Sequence, residues 1–117
     1  MSLRTEVVHN RNVVIVRLTG ELDHHTSEDV RLRLDEVLLK ENSHHMVMNL
    51  ETLTFMDSSG IGVLLGRYKQ LKNKGGKLIL CHIDSPVYKL LELSGLFKII
   101  DVYDDEVHAL SSLEVVS

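Results

Sequence analysis

Two short runs built almost wholly of apolar residues, Met46-Val47-Met48-Asn49-Leu50 and Leu78-Ile79-Leu80-Cys81, constrain this chain more than any other feature. A run without polar alternation reads as a strand covered on both faces. Between the two lies a segment whose apolar residues, Ile61, Leu64, Leu65, Tyr68 and Leu71, recur at helical spacing until Gly75-Gly76 stops it. A buried strand, a helix and a second buried strand pair in parallel through a right-handed crossover. The chain is thereby committed to an α/β sheet.

The flanking segments extend this pattern. Residues 3–9 and 13–19 read as two strands joined by the polar turn Asn10-Arg11-Asn12. In the second, Val14, Val16 and Leu18 face one way and Val13 and Ile15 the other, and Gly20 ends it. A helix starts at Thr26 or Ser27, with Glu28 and Asp29 in its first turn and Val30, Leu34, Val37 and Leu38 on one face. The strand within Lys77–Ile83 is followed by a helix from Ser85, a capping hydroxyl, with Pro86 at its first helical position. Val87, Leu90, Leu91 and Leu93 are its apolar residues and Gly95 stops it. Ile99–Val102 reads as a short edge strand and 105–113 as a last helix. The order β-β-α-β-α-β-α-(β)-α predicts one α/β domain over residues 1–117. Its mixed sheet has four to five strands, opens with an antiparallel hairpin and is covered by about four helices.

Composition narrows the partners. Net charge is −4 with no basic block, which argues against DNA. No apolar run approaches the roughly 18 residues of a membrane span. Met1–Glu6 carries no apolar signal region, and the lone Cys81 cannot form an internal disulfide. These readings predict a cytoplasmic setting. Aromatic residues make up only 4% of the chain and Trp is absent, so the core must be Leu, Val and Ile.

The candidate site is Phe55-Met56-Asp57-Ser58-Ser59-Gly60-Ile61-Gly62-Val63-Leu64-Leu65-Gly66. Asp57 or Ser58 can cap the helix that starts here. A hydroxyl at that point lies where free N–H groups and the helix dipole favour negative charge, so Ser58 is a natural place for a phosphate. Around the helix axis Ser59, Gly62 and Gly66 share a smooth side, with Ser58 and Val63 at its edges. Each helical glycine costs about 1 kcal/mol relative to alanine. Either something approaches this backbone closely, or the glycines serve internal packing.

Other chemistries match poorly. Gly60-x-Gly62-x-x-x-Gly66 places its third glycine one residue late for a dinucleotide fingerprint, and no phosphate-loop lysine is present. The loop after Leu50 also reads as too long for that motif, and it carries Asp57 where a pyrophosphate would sit. The Gly-x-Ser-x-Gly spacing of a serine hydrolase is absent around Ser58 and Ser59. The pairs His24-His25 and His44-His45 lack partners at zinc-site spacing and read as surface loops.

Two segments together resemble a known family. Leu18-Thr19-Gly20-Glu21-Leu22-Asp23-His24-His25-Thr26 and Phe55–Gly62, running into Gly66-Arg67-Tyr68-Lys69-Gln70, are similar to the STAS domain of anti-sigma factor antagonists. Ser94-Gly95-Leu96-Phe97-Lys98-Ile99-Ile100 also fits, and the resemblance spans essentially the whole chain, closest to the sporulation, sigma-F branch. It implies a non-enzymatic partner switch. The unphosphorylated form binds an anti-sigma factor that is itself a serine kinase, and so frees the sigma factor. The kinase uses ATP to phosphorylate the serine matching Ser58, and a serine phosphatase reverses this. No cofactor is required, though weak nucleotide binding or hydrolysis is the alternative the resemblance carries. The expected partner surface comprises Glu21, Asp23, Asp57, Ser58, Ser59, Gly60, Gly62, Val63 and Gly66, with the three carboxylates as an acidic rim facing a basic partner.

Overall fold

Alternation along the second strand divides the molecule into two layers of packing. Val14, Val16 and Leu18 point into one cluster, and Val13 and Ile15 into another on the opposite face of the sheet. The computed structural model describes residues 2–40 and 43–114, with Lys40 in its backbone alone. The elements are β1 (Leu3–Asn10), β2 (Val13–Leu22), α1 (Ser27–Lys40), β3 (His45–Met56) and α2 (Ser58–Asn73), then β4 (Leu78–Cys81), α3 (Ser85–Ser94), a 3-10 turn (Leu96–Lys98), β5 (Asp101–Tyr103) and α4 (Glu106–Leu113). The sheet order is β1-β2-β3-β4-β5. β1 and β2 pair antiparallel and the remaining neighbours pair parallel. This is the mixed five-stranded sheet with an N-terminal hairpin and four α-helices that the pattern predicts.

The larger cluster joins Val30, Leu34, Val37 and Leu38 of α1, Val63, Leu64 and Leu71 of α2, and Val87 and Leu91 of α3 to Met46, Met48, Leu50, Leu78 and Leu80 of the sheet. The smaller one sets Ala109, Leu110 and Leu113 of α4 against Val13, Ile15, Val47, Ile79 and Cys81. Three helices thus cover one face and α4 part of the other. Arg17 fastens α4 by donating through Nε and Nη2 to the Glu106 carboxylate at 2.8 and 2.9 Å. Asn49, which is buried, donates to the same carboxylate.

Several boundaries differ from the sequence reading. β2 does not end at Gly20 but passes through it to Leu22, because Gly20 takes φ +115 and a Cβ there would overlap the Ser2 carbonyl oxygen. β3 runs to Met56 instead of stopping at Leu50, so no long loop precedes α2. β5 begins two residues after Ile99, since Ile100 turns into the core behind the 3-10 turn. Asp84, not Ser85, occupies the cap position of α3, and the proline falls within its first two residues.

Candidate functional site

β2 and β3 end side by side, with Glu21 opposite Phe55 and Leu22 opposite Met56. Leu22 and Met56 are buried, which fixes the last residues of both strands against the helices. The loops that follow are held together by hydrogen bonds. The Asp57 N–H donates to the Leu22 carbonyl at 3.2 Å, and the His24 N–H donates to Asp57 Oδ2 at 3.1 Å. The two motifs read in the sequence therefore meet at one end of the sheet.

Asp57, and not Ser58, caps α2: its Oδ1 accepts the Ser59 N–H at 2.8 Å. Partial burial works against its charge, but the Ser59 and His24 amides outweigh that and hold the carboxyl below its ordinary range. The His24 ring lies 3.5 Å from Asp57 Oδ2. Ser58 is the first residue of α2 and is exposed. Ser59 is half-buried.

Asp23 departs from the expected rim. It is only 2% exposed, and its Oδ1 accepts the N–H groups of His25 at 2.8 Å and Thr26 at 3.1 Å. Burial pushes its carboxyl up, the two amides pull it down further, and the net direction is downward. Thr26 completes the turn by donating its hydroxyl to the Glu21 carbonyl at 2.7 Å. Asp23 is thus a turn-forming residue. The solvent-facing rim is made of Glu21 and Asp57, both half-buried.

The helix face also needs correction. The residues of α2 that are buried are Gly60, Val63, Leu64, Arg67 and Leu71, while Ile61, Leu65 and Tyr68 pack at the flanks of the core. Gly60 and Val63 are therefore not surface contacts. A Cβ on Gly60 would overlap the Met56 side chain, so this glycine serves close packing of α2 on the end of β3. Gly62 and Gly66 are different. Neither has anything within 4 Å of where a Cβ would stand, so internal packing does not explain either one.

Sequence reasoning passed over two features. Phe55 is 45% exposed beside Glu21, brought there by the unexpected length of β3 and an irregularity in its pairing with β2. Arg67 is buried against Asp35 of α1 at 3.5 Å, and burial lowers the pKa of its guanidinium. The polar residue after Gly66 gave no sign of this.

Other groups are chemically quiet. Burial pushes the Cys81 thiol up to about 12. The paired histidine rings meet at an angle, His24 tilted against His25 with centroids 4.0 Å apart and His44 edge-on to His45 at 4.6 Å. Among the described residues no three metal-ligating side chains form a group. Nor is any helix long and apolar enough to cross a membrane. The capping carboxylate of Asp57 already takes a first-turn amide that a nucleotide phosphate would need.

The comparisons with known proteins give the family and the fold. The STAS domain model matches residues 4–109. The chain is 55% identical, over all 117 residues and the whole length of the relative, to the anti-sigma F factor antagonist of Paenibacillus polymyxa. The structure of the anti-sigma factor antagonist SpoIIAA in its unphosphorylated form is 30% identical, with a TM-score of 0.76 over 98% of this chain and 100% of that one. The phosphorylated form of the Bacillus cell fate determinant SpoIIAA is 32% identical, with a TM-score of 0.73 over 97% and 100%.

Proposed function

The chain belongs to the STAS-domain family, and we propose that within it the protein acts as an anti-sigma factor antagonist. Its unphosphorylated form binds an anti-sigma factor that is also a serine kinase, and the sigma factor, sigma-F of sporulation, is released. The kinase uses ATP to phosphorylate Ser58, the complex separates, and a serine phosphatase restores the binding form. The exchange takes place in the cytoplasm, and the protein itself supplies no catalytic group and needs no cofactor.

One observation carries this reading. An exposed serine opens α2 directly after the half-buried Asp57 cap, and Gly62 and Gly66 continue the same surface without any packing need inside the protein. A partner that approaches the helix backbone accounts for the glycines. A phosphate adds about −1.5 to −2 charges at the edge of that approach. The positive end of the α2 dipole favours it, while Asp57 and Glu21 repel it, so the fold stays and the docking surface changes. Both forms of SpoIIAA share this fold, which supports a local switch.

The test is to incubate the protein with ATP and the anti-sigma kinase and weigh it. One added phosphate is expected, located on Ser58 by peptide mapping and absent from Ser58→Ala. A phosphate on Ser59, with Ser58→Ala still modified, would overturn the assignment.

A further inference from the structure

The pairing of β2 with β3 is irregular just before the site. Gly20 stands opposite Leu53, but Glu21 stands opposite Phe55, so Thr54 is an extra residue in β3. Strict alternation would put Phe55 on the face of Leu53, which is 1% exposed. The extra residue turns Phe55 to the other face, beside Glu21. Such bulges are rare in parallel pairs and re-aim side chains next to functional sites. Here the irregular stretch is held in place, since Thr52 donates to the Leu18 carbonyl and Thr54 to the Gly20 carbonyl, both at 3.0 Å.

The ring placed this way stays outside the core. Of the five aromatic rings, Tyr68 and Phe97 pack on the larger cluster, Tyr103 packs on the smaller, and Tyr88 stacks on Phe97 at 4.8 Å. Phe55 belongs to neither cluster. It lies three residues before Ser58, at the same end of the sheet. Partly exposed carboxylates steer a basic partner but add little affinity, whereas a buried aromatic anchor can supply most of it.

We infer that Phe55 is the aromatic anchor at the partner-binding end of the sheet, and that the anti-sigma factor presents an apolar cleft for this ring beside the basic groups that meet Glu21 and Asp57. This rests on the binding role proposed above. A second copy of the chain is the poorer occupant, because a two-fold contact centred here would bring like carboxylates together.

The experiment measures the affinity of wild type, Phe55→Ala, Phe55→Tyr and Ser58→Asp for the anti-sigma factor, with unfolding midpoints and sedimentation of each. Phe55→Ala is expected to bind about 30-fold or more weakly with its midpoint unchanged, and Phe55→Tyr to retain most of the affinity. Phe55→Ala binding within about threefold of wild type, while Ser58→Asp fails to bind, would overturn the anchor and leave the binding role standing. Failure of the wild type to bind would overturn the role itself. A wild-type dimer that Phe55→Ala dissociates would assign the ring to self-association instead.

Discussion

The Asp57 carboxylate accepts the backbone N–H of His24 at 3.1 Å, across 33 residues of sequence. Its other oxygen caps α2 through Ser59 at 2.8 Å. One side chain therefore fixes the position of the α2 start relative to the loop after β2, and both flank the phosphoacceptor proposed at Ser58.

Asp57→Ala is expected to destabilise the fold by about 1–2 kcal/mol, the upper part of the range for a lost helix cap, because a second amide loses its acceptor as well. Urea unfolding checks this. The acid limb has a definite sign. The folded carboxyl titrates below the unfolded one, so its contribution is full above the unfolded pKa and is lost as pH falls through the lower, folded value. Asp57→Ala should accordingly lose less stability than wild type on going from neutral pH to below pH ~4. Parallel curves would show that the carboxylate has no such role.

Glu21 and Asp23, two residues apart, should behave differently. Glu21 is a half-buried rim group, so Glu21→Gln is expected to weaken binding to the anti-sigma factor and flatten its salt dependence, with the unfolding midpoint kept. Asp23→Ala strands the amides of His25 and Thr26 and should lower the midpoint. Titration calorimetry at several salt concentrations, beside thermal melts, separates the two. A destabilised Glu21→Gln or an unchanged Asp23→Ala would reverse the assignment.

Asp23 also marks where the sequence stops being legible. Strand and helix types followed from period and punctuation, because Met46–Leu50 and the α2 stripe sit in a simple two-face environment. The motif segments are visible for the same reason: Gly20 and the Asp57 cap are local necessities. What fails is whatever depends on how elements meet. Asp23 looks like a loop carboxylate until the amides of its own turn are seen folded over it. Val63 looks like a helix edge until α2 is set between its neighbours. Phe55 depends on a one-residue irregularity that no period-two or helical count can register.

His45 gives a second pH dependence, of the same sign. Its Nδ1 accepts the Lys77 N–H at 3.0 Å, which requires the ring to be neutral at that atom. Burial lowers its pKa, and His44 and Lys77 act in the same direction. Between the folded value and the unfolded value of 6.5 only the unfolded chain binds the proton. The contribution is complete above pH 6.5 and is lost as pH falls through the folded pKa. His45→Asn keeps an acceptor that does not titrate. It should lose less stability than wild type between pH 8 and pH 5 in denaturant titrations. Equal losses would place the linkage elsewhere.

Arg67 is buried with Nε and Nη1 lacking hydrogen-bond partners, and Asp35 stands at 3.5 Å. A desolvated guanidinium so poorly compensated contributes little stability, and an apolar residue of similar length fills the same space. Arg67→Met is expected to be as stable as wild type or more so, within about 1 kcal/mol. A loss of several kcal/mol on urea unfolding would show that the pair with Asp35 is stronger than its geometry implies.

Gly62 and Gly66 set function against stability most directly. Neither shows the positive φ that would demand glycine, and a Cβ at either would meet nothing within 4 Å. Alanine in a helix is favoured over glycine by about 0.8–1 kcal/mol. Gly62→Ala and Gly66→Ala should each raise the unfolding free energy by up to that amount, and the double variant by nearly the sum, with the helix ends unaffected. If the anti-sigma factor packs against this backbone, each added methyl holds it away. Affinity should then fall although the fold has gained stability. Ordinary surface glycines would give the same gain with unchanged affinity, and that result would remove the reason for placing the partner on α2. A loss of stability would point instead to strain in the helix that the open space around both positions does not reveal.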